Sequence, residues 1–162
     1  SAGAALLPLS VGLAVLSPMA GALTARLGVR TMLTIGPLVV AAGFALLALR
    51  ASEPGYWSGV FPGLVLLAVG MGIAVAPLTD AVLGAVPGAY EGAASGINNA
   101  TARIGGLLAV ALVGFVLAAG SGGEATSQLA EGYRMAMKAA AIAAAAAGLI
   151  GAATIRSGPR KA

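Results

Sequence analysis

Five stretches without a single charged side chain set what this chain can fold into: residues 1–25, 31–49, 54–79, 104–123 and 139–155. A helix that crosses a bilayer needs about 20 largely apolar residues, with a range of about 17–25. Each run meets that length, the last at its lower edge, where Lys138 can snorkel and lend the helix another turn. Backbone polar groups in lipid must be satisfied within the segment, so the runs are read as helices. A transmembrane β-barrel would alternate apolar and polar residues at every second position, and this sequence does not.

Composition agrees. Of the 162 residues 59% are hydrophobic and only 9% charged, with a mean hydropathy of +0.99. A soluble domain carries about 25% charged residues, so too few exist here to cover a water-facing surface. The absence of cysteine removes disulfides and thiol metal sites. The absence of histidine removes the commonest general base. No nucleophile–base pair or metal cluster stands out, so the reading is of a protein that is not an enzyme and holds no cofactor. The net charge of +4 is spread in ones and twos, unlike the clustered basic patch of a nucleic-acid binder. The expected partner is the lipid bilayer.

The expected architecture is all-α and polytopic, with five transmembrane helices at about 2–25, 30–50, 57–85, 92–119 and 133–155 and a basic tail at 156–162. Tyr56 and Trp57, Tyr90 and Tyr133 fall at the borders between the expected spans, where an aromatic belt marks the water–lipid border. The first run lacks the basic start of a signal peptide, is too long for one and is followed by further spans. It begins without Met, and the chain is expected to be part of a larger protein. Alternate loops share a side. Arg26, Arg30, Arg103, Arg156, Arg160 and Lys161 then oppose Arg50, Arg134 and Lys138. Excess Lys and Arg mark the cytoplasmic side, which puts the C-terminal tail in the cytoplasm and the protein in the plasma (inner) membrane.

Residues 86–106, VPGAYEGAASGINNATARIGG, read as a turn that enters a helix. Pro87 and Gly88 mark the turn, and Glu91 suits the positive end of a helix dipole. Gly92, Gly96 and Ala100 then fall four apart, the small-residue spacing that lets membrane helices approach closely. Asn98 and Asn99 can hydrogen-bond to neighbouring helices. Arg103 is expected about one turn inside the cytoplasmic border; at the bilayer centre it would cost about 2.5–3.5 kcal/mol. A phosphate loop is excluded, because no Gly-Lys-Ser/Thr follows these glycines. Pro8, Pro18, Pro37, Pro62 and Pro77 lie inside the expected spans. Pro77, with Gly70 and Gly72 shortly before it, predicts a bendable third helix.

GALTARLGVR, residues 21–30, resembles the cytoplasmic loop motif of the major facilitator superfamily, Gly-x-Leu-Ala-Asp-Arg-x-Gly-x-Arg, with Gly21, Leu23, Arg26, Gly28 and Arg30 matching. PLTDAVLGAVPGAYEGAASGINNATARIGG is similar to a helix–loop–helix segment of the fourteen-helix drug:proton antiporter branch, ending in the pair Gly105 and Gly106. The resemblance implies the last five helices of a transporter, most of the C-terminal half of a major facilitator bundle. It implies a missing N-terminal half as partner and, in the parent, small amphipathic substrates exported against a proton gradient. Ala25 stands where the motif has aspartate, so the charge pairing that this carboxylate gives the family is lost. Asp80 is the one acid beside a span, either a coupling acid or a solvated interfacial group. Met19 and Met71 are expected to lend the pocket adaptable surface. The competing expectation is a nontransporting packing or regulatory protein, or a degenerate remnant. The two differ in their glycines: a self-sufficient module buries them within itself, whereas a transporter half leaves a small-residue face open.

Overall fold

The computed structural model describes residues 7–119 and 125–155. Its elements there are all helical, with α1 at Leu7–Leu27, α2 at Val29–Leu49, α3 at Phe61–Gly84, α4 at Glu91–Ala119 and α5 at Ala125–Thr154 joined by short turns. Among the described residues, three stretches are long and apolar enough to cross a membrane: Val29–Leu49, Tyr56–Gly84 and Leu129–Thr154. The basic tail at 156–162, with Arg156, Arg160 and Lys161, and the side chain of Met19 lie outside the described residues.

Local chemistry sets the helix ends. A single residue, Gly28, joins α1 to α2. Its φ of 84° and ψ of 152° lie in a region open essentially to glycine alone. Its N–H donates to the Thr24 carbonyl at 2.8 Å, closing the last turn of α1. Gly55, with φ of 107°, opens the π-helical turn Tyr56–Val60 that leads into α3. Pro62 sits in the first turn of α3, where a missing N–H costs no bond, rather than deep in the span. Pro87 stops the chain after α3, a 3-10 turn at Gly88–Tyr90 follows, and Glu91 opens α4 at the positive end of its dipole. The last helix starts at Ala125, well before 133, and so carries Glu131, Tyr133, Arg134 and Lys138 on helix.

In the packing, α2 is central, with α3 on one side and α5 on the other; α1 packs on α3. Leu47, Leu64 and Leu67 form the core, with Val40, Phe44, Tyr56 and Met137 against them. The α2–α3 seam is closed by glycines. A Cβ added to Gly36 would stand 2.7 Å from Ala74 Cβ and 3.0 Å from the Gly70 carbonyl oxygen. One added to Gly70 would stand 2.6 Å from Val40 N and 2.8 Å from the Gly36 oxygen. Two turns further on, a Cβ added to Gly43 or to Gly63 would stand 3.1 or 3.3 Å from the other's carbonyl oxygen. Small residues thus let the two backbones nearly touch, the dispersion-driven contact available to helices in lipid.

The α2–α5 contact follows another route. Pro37 has no N–H, so the Leu33 carbonyl loses its helical donor. Gly151 of α5 lies over that carbonyl: an added Cβ would be 2.9 Å from the Leu33 oxygen. Gly148 covers the Thr34 oxygen at 3.0 Å in the same way. Hydroxyls inside helices are satisfied locally, Thr34 donating to the Arg30 carbonyl, Thr79 to Val75 and Thr154 to Ile150.

Candidate functional site

Two features hold the residues that the sequence singles out: the α1–α2 corner and the outer face of α4. At the corner Gly28 turns the chain, and Arg30 reaches from the first turn of α2 to the last turn of α5. Its Nε and one terminal guanidinium nitrogen both donate to the Ala152 carbonyl, at 3.1 and 2.8 Å. That carbonyl is among the last four of α5 and has no donor within its own helix. A cation there also faces the negative end of the α5 dipole. One side chain thereby fastens the start of α2 to the end of α5 and puts both on one side of the bundle. Arg26 and Leu23 are exposed, and Gly21 has open space where a side chain would go.

At the opposite end Arg134 of α5 donates to Ser52 Oγ at 2.8 Å, and Arg50 donates to the Ser58 carbonyl at 2.8 Å. Tyr56, Trp57 and Phe61 cluster beside them, with Trp57 and Phe61 ring centroids 4.9 Å apart. Arg30 thus stands at one end of the bundle and Arg50 and Arg134 at the other.

An expected outcome tests the Arg30 clamp. Arg30→Ala leaves the Ala152 carbonyl to water and weakens the last turn of α5 by about 1 kcal/mol, the low end for a charged donor because the site is exposed. Hydrogen exchange at the Ile155 amide, which donates to the Gly151 carbonyl at 3.1 Å, should then rise about fivefold. Arg30→Lys should fall between, since an ammonium on a flexible stem cannot reproduce the planar fork.

The second feature is α4, which borders α5 and α3 only lightly. Near its start Ala94 is buried and Asn98 half-buried. Gly92, Gly96, Asn99, Arg103 and Gly106 follow one another at steps of four and three, which is one helix face. Asn99 and Arg103 on that face are exposed. Gly92, Gly96, Gly105 and Gly106 have nothing within 4 Å of an added Cβ. The glycines that the sequence reading chose for helix packing therefore pack against nothing among the described residues. Those that do pack between helices include Gly12, Gly36, Gly43, Gly63, Gly70, Gly148 and Gly151. Their signal in sequence was a seven-residue spacing, Gly36 to Gly43 and Gly63 to Gly70, inside runs otherwise read only for hydrophobicity.

Pro77 is fully buried, and α3 continues unbroken through it. Gly70 and Gly72, just before it, are also buried. Asp80 is exposed in the last turns of α3, and Met71 is exposed on the same helix. No polar or charged residue is buried, and no group of acids, His or Cys could hold a metal ion, among the described residues. What the arrangement offers is an anchored helical scaffold with one unpartnered polar face.

The family model for the Major Facilitator Superfamily matches residues 1–162. The multidrug resistance protein Stp of Mycobacterium tuberculosis is 37% identical over 117 residues, covering 72% of this chain and 21% of that protein. The puromycin resistance protein pur8 of Streptomyces alboniger is 35% identical over 117 residues, 70% of this chain and 23% of that protein. The cephamycin export protein CmcT of Amycolatopsis lactamdurans is 31% identical over 104 residues, 64% of this chain and 21% of that protein. The chain thus spans about a fifth of the length of these relatives. No solved structure matches it.

Proposed function

Because the chain belongs to the major facilitator superfamily, a family of multi-pass membrane transporters, we propose that it supplies five spans of a drug exporter, most of its C-terminal half. In that reading the N-terminal half is the partner, the bilayer is the plasma membrane and the C-terminal tail is cytoplasmic. The substrates are amphipathic small molecules, in line with the drug-resistance and export names of the relatives, and export is driven by proton antiport. Two half-bundles then rock about a site near the midplane. Met71 faces that site, Asp80 is the acid of this half available for proton coupling, and Pro77 gives α3 a point at which to flex.

The observation that carries this reading is the open glycine face of α4. An added Cβ on Gly92, Gly96, Gly105 or Gly106 meets nothing within 4 Å among the described residues, whereas one on Gly36, Gly70 or Gly151 runs into the backbone of a neighbouring helix; α4 thus has a surface shaped for close approach with nothing described approaching it. A self-contained packing or regulatory module has no use for such a face.

Alternating access needs two repeats moving against each other, so the 162-residue chain alone should not transport. In liposomes with an imposed proton gradient, the chain alone is expected to leave a fluorescent amphipathic cation undisturbed. Together with the remaining helices of a transporter it should drive export. Gradient-dependent export by the chain alone would refute the half-transporter reading.

A further inference from the structure

We propose that Arg103 forms an ion pair with a carboxylate on a helix outside residues 1–162, and that this pair fixes how that helix seats on the Gly92–Gly96–Asn99–Gly106 face of α4. The inference rests on the reading that α4 crosses the membrane as part of a larger transporter.

Depth is the first argument. The 29 residues of α4 make a rod about 43 Å long, against a hydrocarbon core of about 30 Å. Arg103 lies about 18 Å along the axis from Glu91. For the 29 described residues, placing the whole overhang of about 13 Å at the Glu91 end leaves the Arg103 backbone about 5 Å inside the hydrocarbon, and a span over the uncharged run 104–123 leaves it at the border. Centring the helix puts it about 12 Å inside, beyond an easy snorkel to the headgroups. A guanidinium at that depth needs a counter-charge or water.

Contact is the second argument. Arg103 makes no hydrogen bond or ion pair with any described residue. It is exposed, and its position lies on the face of α4 opposite buried Ala94. Its neighbours on that face are the glycines that leave space for a backbone, and Asn99, which both donates and accepts. A lipid tail has no use for such a mixture. A second helix does: the glycines admit its backbone, Asn99 bonds its polar groups, and Arg103 requires an acid. Charge complementarity selects a carboxylate-bearing helix rather than a second copy of this chain, whose matching face would bring arginine against arginine. The chain spans 21% of a relative such as Stp, so a full-length transporter has helices to supply that acid.

The test uses cells that make the chain together with the remaining transporter helices, reading export and membrane abundance side by side. Arg103→Lys should keep export within about twofold of wild type. Arg103→Leu and Arg103→Glu should lower it at least tenfold. Suppressors of Arg103→Glu should replace a carboxylate outside residues 1–162 with Lys or Arg, a rescue by charge reversal that loss of mere packing cannot give. The proposal is overturned if Arg103→Leu exports like wild type, or if suppressors fall only within residues 1–162. Disulfide cross-linking of Asn99→Cys between two copies, in a chain that has no other cysteine, would also overturn it. If the wild type exports nothing, the transporter reading fails on its own. Abundance then decides the pair, falling in Arg103→Glu and returning with the reversed carboxylate if it exists.

Discussion

Gly70→Leu is expected to remove the chain from the membrane, while Gly96→Leu in the same 162-residue chain accumulates like wild type. The two positions look alike in sequence, both glycines in oily helices. Their surroundings decide the outcome. At Gly70 even a methyl group meets the Val40 backbone nitrogen at 2.6 Å and the Gly36 oxygen at 2.8 Å. Backbone atoms cannot rotate away as a side chain would, so α2 and α3 must separate along their whole seam. Overpacking by a single methyl costs about 1–3 kcal/mol, and this is the loss expected for Gly70→Ala in reversible unfolding in mixed micelles. An isobutyl group exceeds what the seam can absorb, and clearance of the chain follows. Gly36→Ala enters the same gap from the other helix, so its loss and that of Gly70→Ala should not add. Gly96→Leu projects into open space and should show its cost only when the missing helices are supplied. If Gly70→Ala unfolds at the wild-type detergent fraction, α2 and α3 are not in this register.

The seam also shows what the amino-acid sequence carried and what it left out. Freedom from charge marked the membrane helices because lipid enforces it directly, and the all-α class followed at once. Helix ends were less legible where a helix outlasts its apolar run. The apolar pattern predicts a last helix from about 133, yet α5 begins at Ala125 and carries Glu131 on helix together with Arg134 and Lys138. Packing partners were the least legible. Four-residue spacing drew attention to Gly92 and Gly96, which touch nothing here, and away from Gly36 and Gly70, which nearly fuse two helices. One helix's periodicity says that a small-residue face exists; only the facing helix says whether it is used. Of the basic residues, Arg30 bonds Ala152 at one end and Arg134 bonds Ser52 at the other, since a helix that runs the length of the bundle carries its two ends to opposite sides.

Gly28→Val is expected to destabilise the chain by about 3 kcal/mol or more, while Gly21→Ala, seven residues earlier in the same motif, stabilises it slightly. Gly28 stands at φ of 84° and ψ of 152°. An ordinary residue forced into that region costs about 1–3 kcal/mol, and a β-branched one lies at the top of the range or above it. No longer loop exists to share the strain, because Gly28 alone separates Leu27 from Val29. Gly21 lies within α1 with nothing within 4 Å of an added Cβ. There alanine should gain about 0.5–1 kcal/mol by restricting the unfolded chain. The motif's two glycines thus serve different ends, and only Gly28 is demanded by the fold of this chain. The corner also aims Arg30, two residues on, at the Ala152 carbonyl. Gly28→Val should therefore raise exchange at the Ile155 amide as Arg30→Ala does, with the added loss of global stability that Arg30→Ala lacks. Unfolding in mixed micelles and exchange at Ile155 measure the two effects separately. Equal stability of the Gly28→Val and Gly21→Ala chains would mean that the single-residue corner does not exist in the membrane.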